Sequence, residues 1–216
     1  MKFRFSLLVI GLAILGLTVP KPPNECNANY NFAALDQATI KSLTAQGSMV
    51  VVRQHKDLSL INVTAAQVVN APVETVWEAL IDFKNYPRFL PQTAAARVVG
   101  KAGEQTVVEQ TLAVKFWQLP SVDITYQLAY RFEPYSRIRF WWASGSLQGT
   151  YGGWDLVPAG RQTLLFYTLY SNLTSLGWGL GGMMKSQPDF MAGINVTTAM
   201  MTAKAAKEES ERRARK

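Results

Sequence analysis

Two periods alternate along this chain: Thr93 to Tyr170 runs with a period of two, and Leu35 to Gln46, Pro72 to Ile81 and the segment from Pro188 onward run with the period of a helix. The clearest strand is Val122 to Phe132. Val122, Ile124, Tyr126, Leu128, Tyr130 and Phe132 share one face, and Asp123, Thr125, Gln127, Ala129 and Arg131 share the other. Such alternation puts one face on a core and the other toward water. Arg137 to Ala143 repeats it, with Ile138, Phe140 and Trp142 inward and Arg137 and Arg139 outward beside Arg131. Gly145, Gly149, Gly152 and Gly153 let the next strand bend, and on it Gln148 and Thr150 share phase with Trp154 and Leu156. Arg161 to Tyr170 is the last strand, apolar on both faces near its middle. There Thr168 shares phase with Leu164 and Phe166 and is expected to face inward with them.

Upstream, Leu35 to Gln46 has helical spacing (Leu35, Ile40, Leu43) and stops at Gly47. Met49 to Arg53 and Leu58 to Val69 are rich in β-branched residues and form either one bent strand or a hairpin about Lys56-Asp57. Pro72 opens a helix with Glu74 in its first turn and an apolar stripe of Val73, Val76, Trp77, Leu80 and Ile81. Asp82 to Leu90 makes a turn or second short helix, closed by Pro91. Pro188 opens a long last helix with Phe190, Ile194, Thr197 and Met201 on one face. Its tail, Lys204 to Lys216, has pairs such as Lys204/Glu208 at i,i+4 and reads as a solvated end. This order predicts an α+β fold: a curved antiparallel sheet of about seven strands, two short helices after the first strand, and a long C-terminal helix. That helix is the element available to bury the concave face.

The first residues change the picture of location. Lys2 and Arg4 precede an apolar run of fifteen residues, Phe5 to Val19, and Pro20, Pro22 and Pro23 end it. That is the pattern of an export signal, and the run is short for a spanning helix. No Ala-x-Ala is present near the end of this run; Cys26 and Ala28 put small residues at the right positions for a cut after Ala28. An uncleaved N-terminal anchor is the alternative. The expected organisation is 1–28 signal or anchor, 29–47 linker and short helix, 48–206 folded domain, and 207–216 charged helical tail.

Composition and charge narrow the chemistry. At 48% hydrophobic and 17% charged the chain is an ordinary globular one. The net charge of +7 sits mostly at its two ends: Lys2 and Arg4 at one, and a tail with six basic and three acidic residues at the other. That is no nucleic-acid footprint. A single cysteine, Cys26, and a single histidine, His55, leave no disulfide, no cysteine-based metal site and no basis for a cofactor.

The stretch Val69-Asn70-Ala71-Pro72-Val73-Glu74-Thr75-Val76-Trp77-Glu78, followed by Asp82 to Pro91 (DFKNYPRFLP), resembles the START-like superfamily (SRPBCC, Bet v 1-like), in its polyketide cyclase/dehydrase and coenzyme-Q-binding type. Gly152 to Pro158 (GGWDLVP) and Arg161 to Ser171 (RQTLLFYTLYS) are similar to the same family, over roughly Met49 to Ala206. The resemblance implies a helix-grip fold with a cavity between sheet and helix, and ligands such as lipids, sterols, quinones or polyketides.

The cavity walls then follow from phase. The sheet would supply Tyr126, Leu128, Tyr130, Phe140, Trp142, Thr150, Phe166 and Thr168. The helix would supply Met191, Ile194 and Met201. Five of the seven methionines fall between Met183 and Met201, a flexible surface suited to greasy ligands. Two apolar loops are candidate gates or membrane contacts: Phe116 and Trp117 in one, Leu176, Trp178, Leu180 and Met183 in the other. Asp82, Phe83, Tyr86, Pro87, Phe89 and Pro91 read as structural. No inward histidine, cysteine or carboxylate pair points to catalysis. Three readings stand: an exported binding protein for an apolar small molecule, a cyclase/aromatase-type enzyme, or a structural envelope protein with a filled cavity. Oligomeric state is not encoded in any of these features.

Overall fold

A computed structural model describes residues 18–27, 36–114, 122–176 and 181–216. The period-two segments form one antiparallel sheet of eight strands: β1 (Met49–Gln54), β2 (Leu60–Val69), β3 (Thr93–Ala102), β4 (Gln105–Val114), β5 (Val122–Glu133), β6 (Arg137–Gly145), β7 (Tyr151–Ala159) and β8 (Gln162–Tyr170). Their order is β1-β2-β8-β7-β6-β5-β4-β3. Strands β3 to β8 thus make a meander whose last member pairs with β2. The eighth strand is β1, which hairpins onto β2 and lies at the edge. The short helices α2 (Val73–Ile81) and α3 (Tyr86–Phe89) follow β2, so they come after the second strand rather than the first.

A short helix α4 (Gly182–Ser186) precedes the long helix α5 (Pro188–Ala214), which crosses the concave face. Its 27 residues span roughly 40 Å. Ala199, Ala203 and Ala206 are fully buried in one cluster with Val63, Ala65 and Val69 of β2. Small side chains on both elements let that half of the helix lie close to the sheet. Asn195 pins the other half. Its amide oxygen accepts from the Ser171 N–H at 2.7 Å, and its amide nitrogen donates to the Ser171 and Met191 carbonyls.

The tail is not a solvated end. Glu209 and Ser210 are buried, and Arg213 donates to Asp82 at 2.8 Å and to the Glu78 carbonyl. Lys207 reaches the Val68 carbonyl at 2.6 Å, while Glu211 accepts from the Asn70 N–H at 2.8 Å.

The convex face is covered as well. Helix α1 (Gln37–Ala45), capped by Asp36, sets Ile40 among Ala66, Val157, Leu164 and Phe166. Arg139 was expected outward in water. It does point away from the concave face, but it is buried, donating to Asp155 at 2.9 Å and to the Ile138 and Trp154 carbonyls. Covered on both sides, the central strands lose the polar face that alternation implies.

Candidate functional site

Between the sheet and the N-terminal half of α5 lies a cavity of about 580 Å³. That is the size of a small-molecule pocket. Its sheet wall is Gln110, Leu112 and Val114 of β4, Ile124, Tyr126, Leu128 and Tyr130 of β5, Phe140 of β6, Trp154 of β7, and Tyr167 and Leu169 of β8. Register explains this set. Gln110 pairs with Tyr126, Tyr130 with Phe140, and Trp154 with Tyr167, so all stand on one face. The helix wall is Asp189, Phe190, Gly193, Ile194, Thr197, Thr198, Met201 and Thr202.

Two glycines shape the wall. A Cβ on Gly152 would overlap the Thr168 carbonyl oxygen and sit 2.7 Å from the Phe140 ring. One on Gly153 would overlap the Ile138 carbonyl oxygen and sit 2.8 Å from the Arg139 guanidinium. Their role is therefore room on each face: for the cavity-lining ring on one and for the buried cation on the other.

The buried wall carries one hydrogen-bond chain. Tyr126 donates to the Gln110 amide oxygen at 3.1 Å, and the Gln110 amide nitrogen donates to the Tyr130 hydroxyl at 2.7 Å. Among the described residues nothing accepts the Tyr130 proton, and the Tyr167 hydroxyl likewise has no partner. The Tyr86 hydroxyl is occupied, donating to the Leu80 carbonyl. Burial drives Tyr86, Tyr126, Tyr130 and Tyr167 all well above the ordinary tyrosine range. They stay neutral donors at any physiological pH. Phe83 packs edge-on against Tyr86 and Tyr130, which holds the chain in place. The described lining contains one carboxylate, Asp189, and no histidine, cysteine, lysine or arginine.

Of the expected lining, Tyr126, Leu128, Tyr130, Phe140, Thr150, Ile194 and Met201 face the cavity. Phe166 and Thr168 do not. Phe166 packs in the α1 cluster on the convex side, and Thr168 bonds Thr64 at 2.9 Å. Strand β8 is apolar on both faces because both are covered, so phase alone could not orient it. Met191 is buried one stripe away on α5, with Asn195 and Ala199 toward the sheet. Trp142 belongs to the end of β6, where its indole N–H donates to the Gly145 and Ser146 carbonyls in the turn. Leu176 lines the cavity. Phe116, Trp117, Trp178 and Leu180 lie outside the described residues, as does the side chain of Met183. Tyr86 and Pro91, read as structural, line the cavity too. Gln110 and Tyr167 were missed. The run Val108, Gln110, Leu112, Val114 carries the signal for Gln110, hidden by the adjacent Val107.

A family model described as polyketide cyclase / dehydrase and lipid transport matches residues 69–189. The chain belongs to this family. A search by sequence among curated proteins matches none of them. By structure, the chain is similar to the Zhui aromatase/cyclase from Streptomyces sp. R1128, with a TM-score of 0.56 and 18% identity over 77% of this chain and 95% of that one. It is equally similar to a STAR-related lipid transfer protein from Xanthomonas axonopodis, at TM-score 0.56 and 17% identity over 76% and 94%. Human StAR-related lipid transfer protein 5 gives 0.55 and 10% over 81% and 94%. At these identities the likeness is one of fold. The START-like resemblance and the helix-grip architecture expected from the sequence both hold.

Proposed function

We propose that this protein binds, and carries within the cell envelope, a neutral and largely apolar small molecule with a hydrogen-bond-accepting oxygen, of the lipid, quinone or sterol class. One observation carries the reading: among the described residues the apolar cavity wall carries one chain of buried side-chain hydrogen bonds, and it ends on the Tyr130 hydroxyl, whose proton none of them accepts. With no cation on the described lining, an anionic headgroup would enter without a partner and bear its full desolvation cost. The family description and the two lipid transfer folds support the same class. Val114 and Leu176 both line the cavity and lead directly into the two apolar loops, which suits those loops as gates.

A cyclase-type activity is the second reading, favoured by the same chain, which would hold a substrate carbonyl. Binding is preferred because the described lining offers no acid–base pair. A structural protein with a filled interior does not suit the open volume.

Native mass spectrometry of the gently purified protein should show a bound small molecule, and the empty protein should take up fluorescent lipid. A protein that arrives empty and takes up nothing overturns the reading. Tyr130→Phe should weaken a carbonyl-bearing probe such as a short-chain quinone by about five- to tenfold, and leave a hydrocarbon probe unchanged.

A further inference from the structure

Residues 18–27 are built into the folded domain, on the face of the sheet opposite the cavity. Trp141 of β6 donates its indole N–H to the Pro20 carbonyl at 2.9 Å. Cys26 is 3% exposed and packs with Ala129, Trp141 and Tyr151, with Val19 against the same cluster. Its thiol lies over the Phe140 and Gly152 carbonyls, 3.5 and 3.9 Å away, in the middle of the sheet. A turn of 3-10 helix, Asn24–Asn27, delivers it there. Pro20, Pro22 and Pro23 stiffen the stretch before that turn, so little chain entropy is lost in laying it down.

This strap helps cover two large aromatics. Trp141 is 1% exposed and Tyr151 only 6%. Both stand on the convex face, where α1 covers the other end. A cut after Ala28 is the one for which the sequence offers small residues at the right spacing. It would remove the whole strap and bare that cluster. Moreover, the apolar run Phe5 to Val19 passes into the strap at Val19 with no spacer between them.

We infer that residues 19–27 are a permanent strap and that the apolar run ahead of them stays attached, holding the convex face of the domain against a lipid bilayer. Between Arg4 and the first residue of the strap, Val19, lie fourteen residues, most of them apolar. An apolar stretch shorter than the hydrocarbon core is accommodated by local thinning of the bilayer and by snorkelling of flanking cations. Lys2 and Arg4 on the N-terminal side place that end in the cytoplasm and the domain outside.

The single cysteine makes the test direct. The full chain is expressed in a Gram-negative host, membranes are separated, and Cys26 is challenged with a maleimide before and after urea. The expected result is a chain of full-length mass in the membrane fraction. Its cysteine should label at least about a hundredfold more slowly when native than in urea, since burial raises the thiol to about 11 and removes it from solvent. Prompt native labelling means the strap is off, and no labelling in urea means the segment has been cut away. Either overturns the inference. So does a native-protected cysteine in a chain that is soluble or begins at Val19, because the anchor is then gone.

Discussion

At Gly152 the side chain is a hydrogen because there is no room for anything else. A Cβ there would overlap the Thr168 carbonyl and the Phe140 ring, both parts of the central sheet that cannot swing aside. Gly152→Ala should therefore cost on the order of 3 kcal/mol, read as a lower urea midpoint. Gly193 faces open space inside the cavity from the interior of α5. Gly193→Ala should stabilise by roughly 0.5–1 kcal/mol, the ordinary helix preference for alanine. Equal effects from the two would show that space is not what the strand glycine supplies. The sequence reveals that glycines cluster in β7, but not that each serves a different face. The same limit governs the lining. On β5 the outward positions Asp123, Thr125, Gln127 and Arg131 are polar, so the inward set is legible. On β8 both faces are buried, and Tyr167 cannot be told from Phe166 without the register to Trp154.

At the scale of elements, α5 is held by its C-terminal end. The Arg212 guanidinium, with Arg213 beside it, keeps Glu209 below the usual carboxylate range although it is buried. Burial opposes the charge of Asp82, but Asn85 and Arg213 outweigh it; burial opposes Glu211 too, but Lys207 and the Asn70 amide prevail. All three carboxyls titrate lower folded than unfolded. Their pairing thus stabilises the fold fully above the unfolded values, about 4, and is lost as pH falls through the lowered folded ones. Urea melts at neutral pH and near pH 3 should show this loss. Arg213→Ala should cost roughly 1–2 kcal/mol at neutral pH and shrink the acid-sensitive part. An unchanged pH dependence in that variant would rule the latch out. Periodicity made the helix visible; the latch was not, because Lys and Glu at i,i+4 look the same whether they meet each other, solvent or a neighbouring loop.

On the scale of the whole molecule, one helix does two jobs. Its C-terminal half is packed through Ala203 and Ala206 and latched by ions, while in its N-terminal half Met191, Asn195 and Ala199 meet the sheet and the neighbouring stripe faces a void. Phe190 and Met201, both on the cavity wall, are nearly half exposed. An apolar ligand would supply the contacts that half lacks. Amide exchange should therefore be slow from about Ala203 onward whether or not the cavity is filled, and fast before Thr198 only when it is empty. Adding ligand at a hundredfold its Kd stabilises by about 2.7 kcal/mol, so the midpoint of melting should rise by roughly 5–10 °C. Ile194→Trp would fill the same space from within. That variant should protect the N-terminal amides by itself and abolish both the ligand-induced protection and the rise in melting temperature. Exchange that is uniform along the helix, or indifferent to ligand, would overturn the proposal that the void under α5 holds a small molecule.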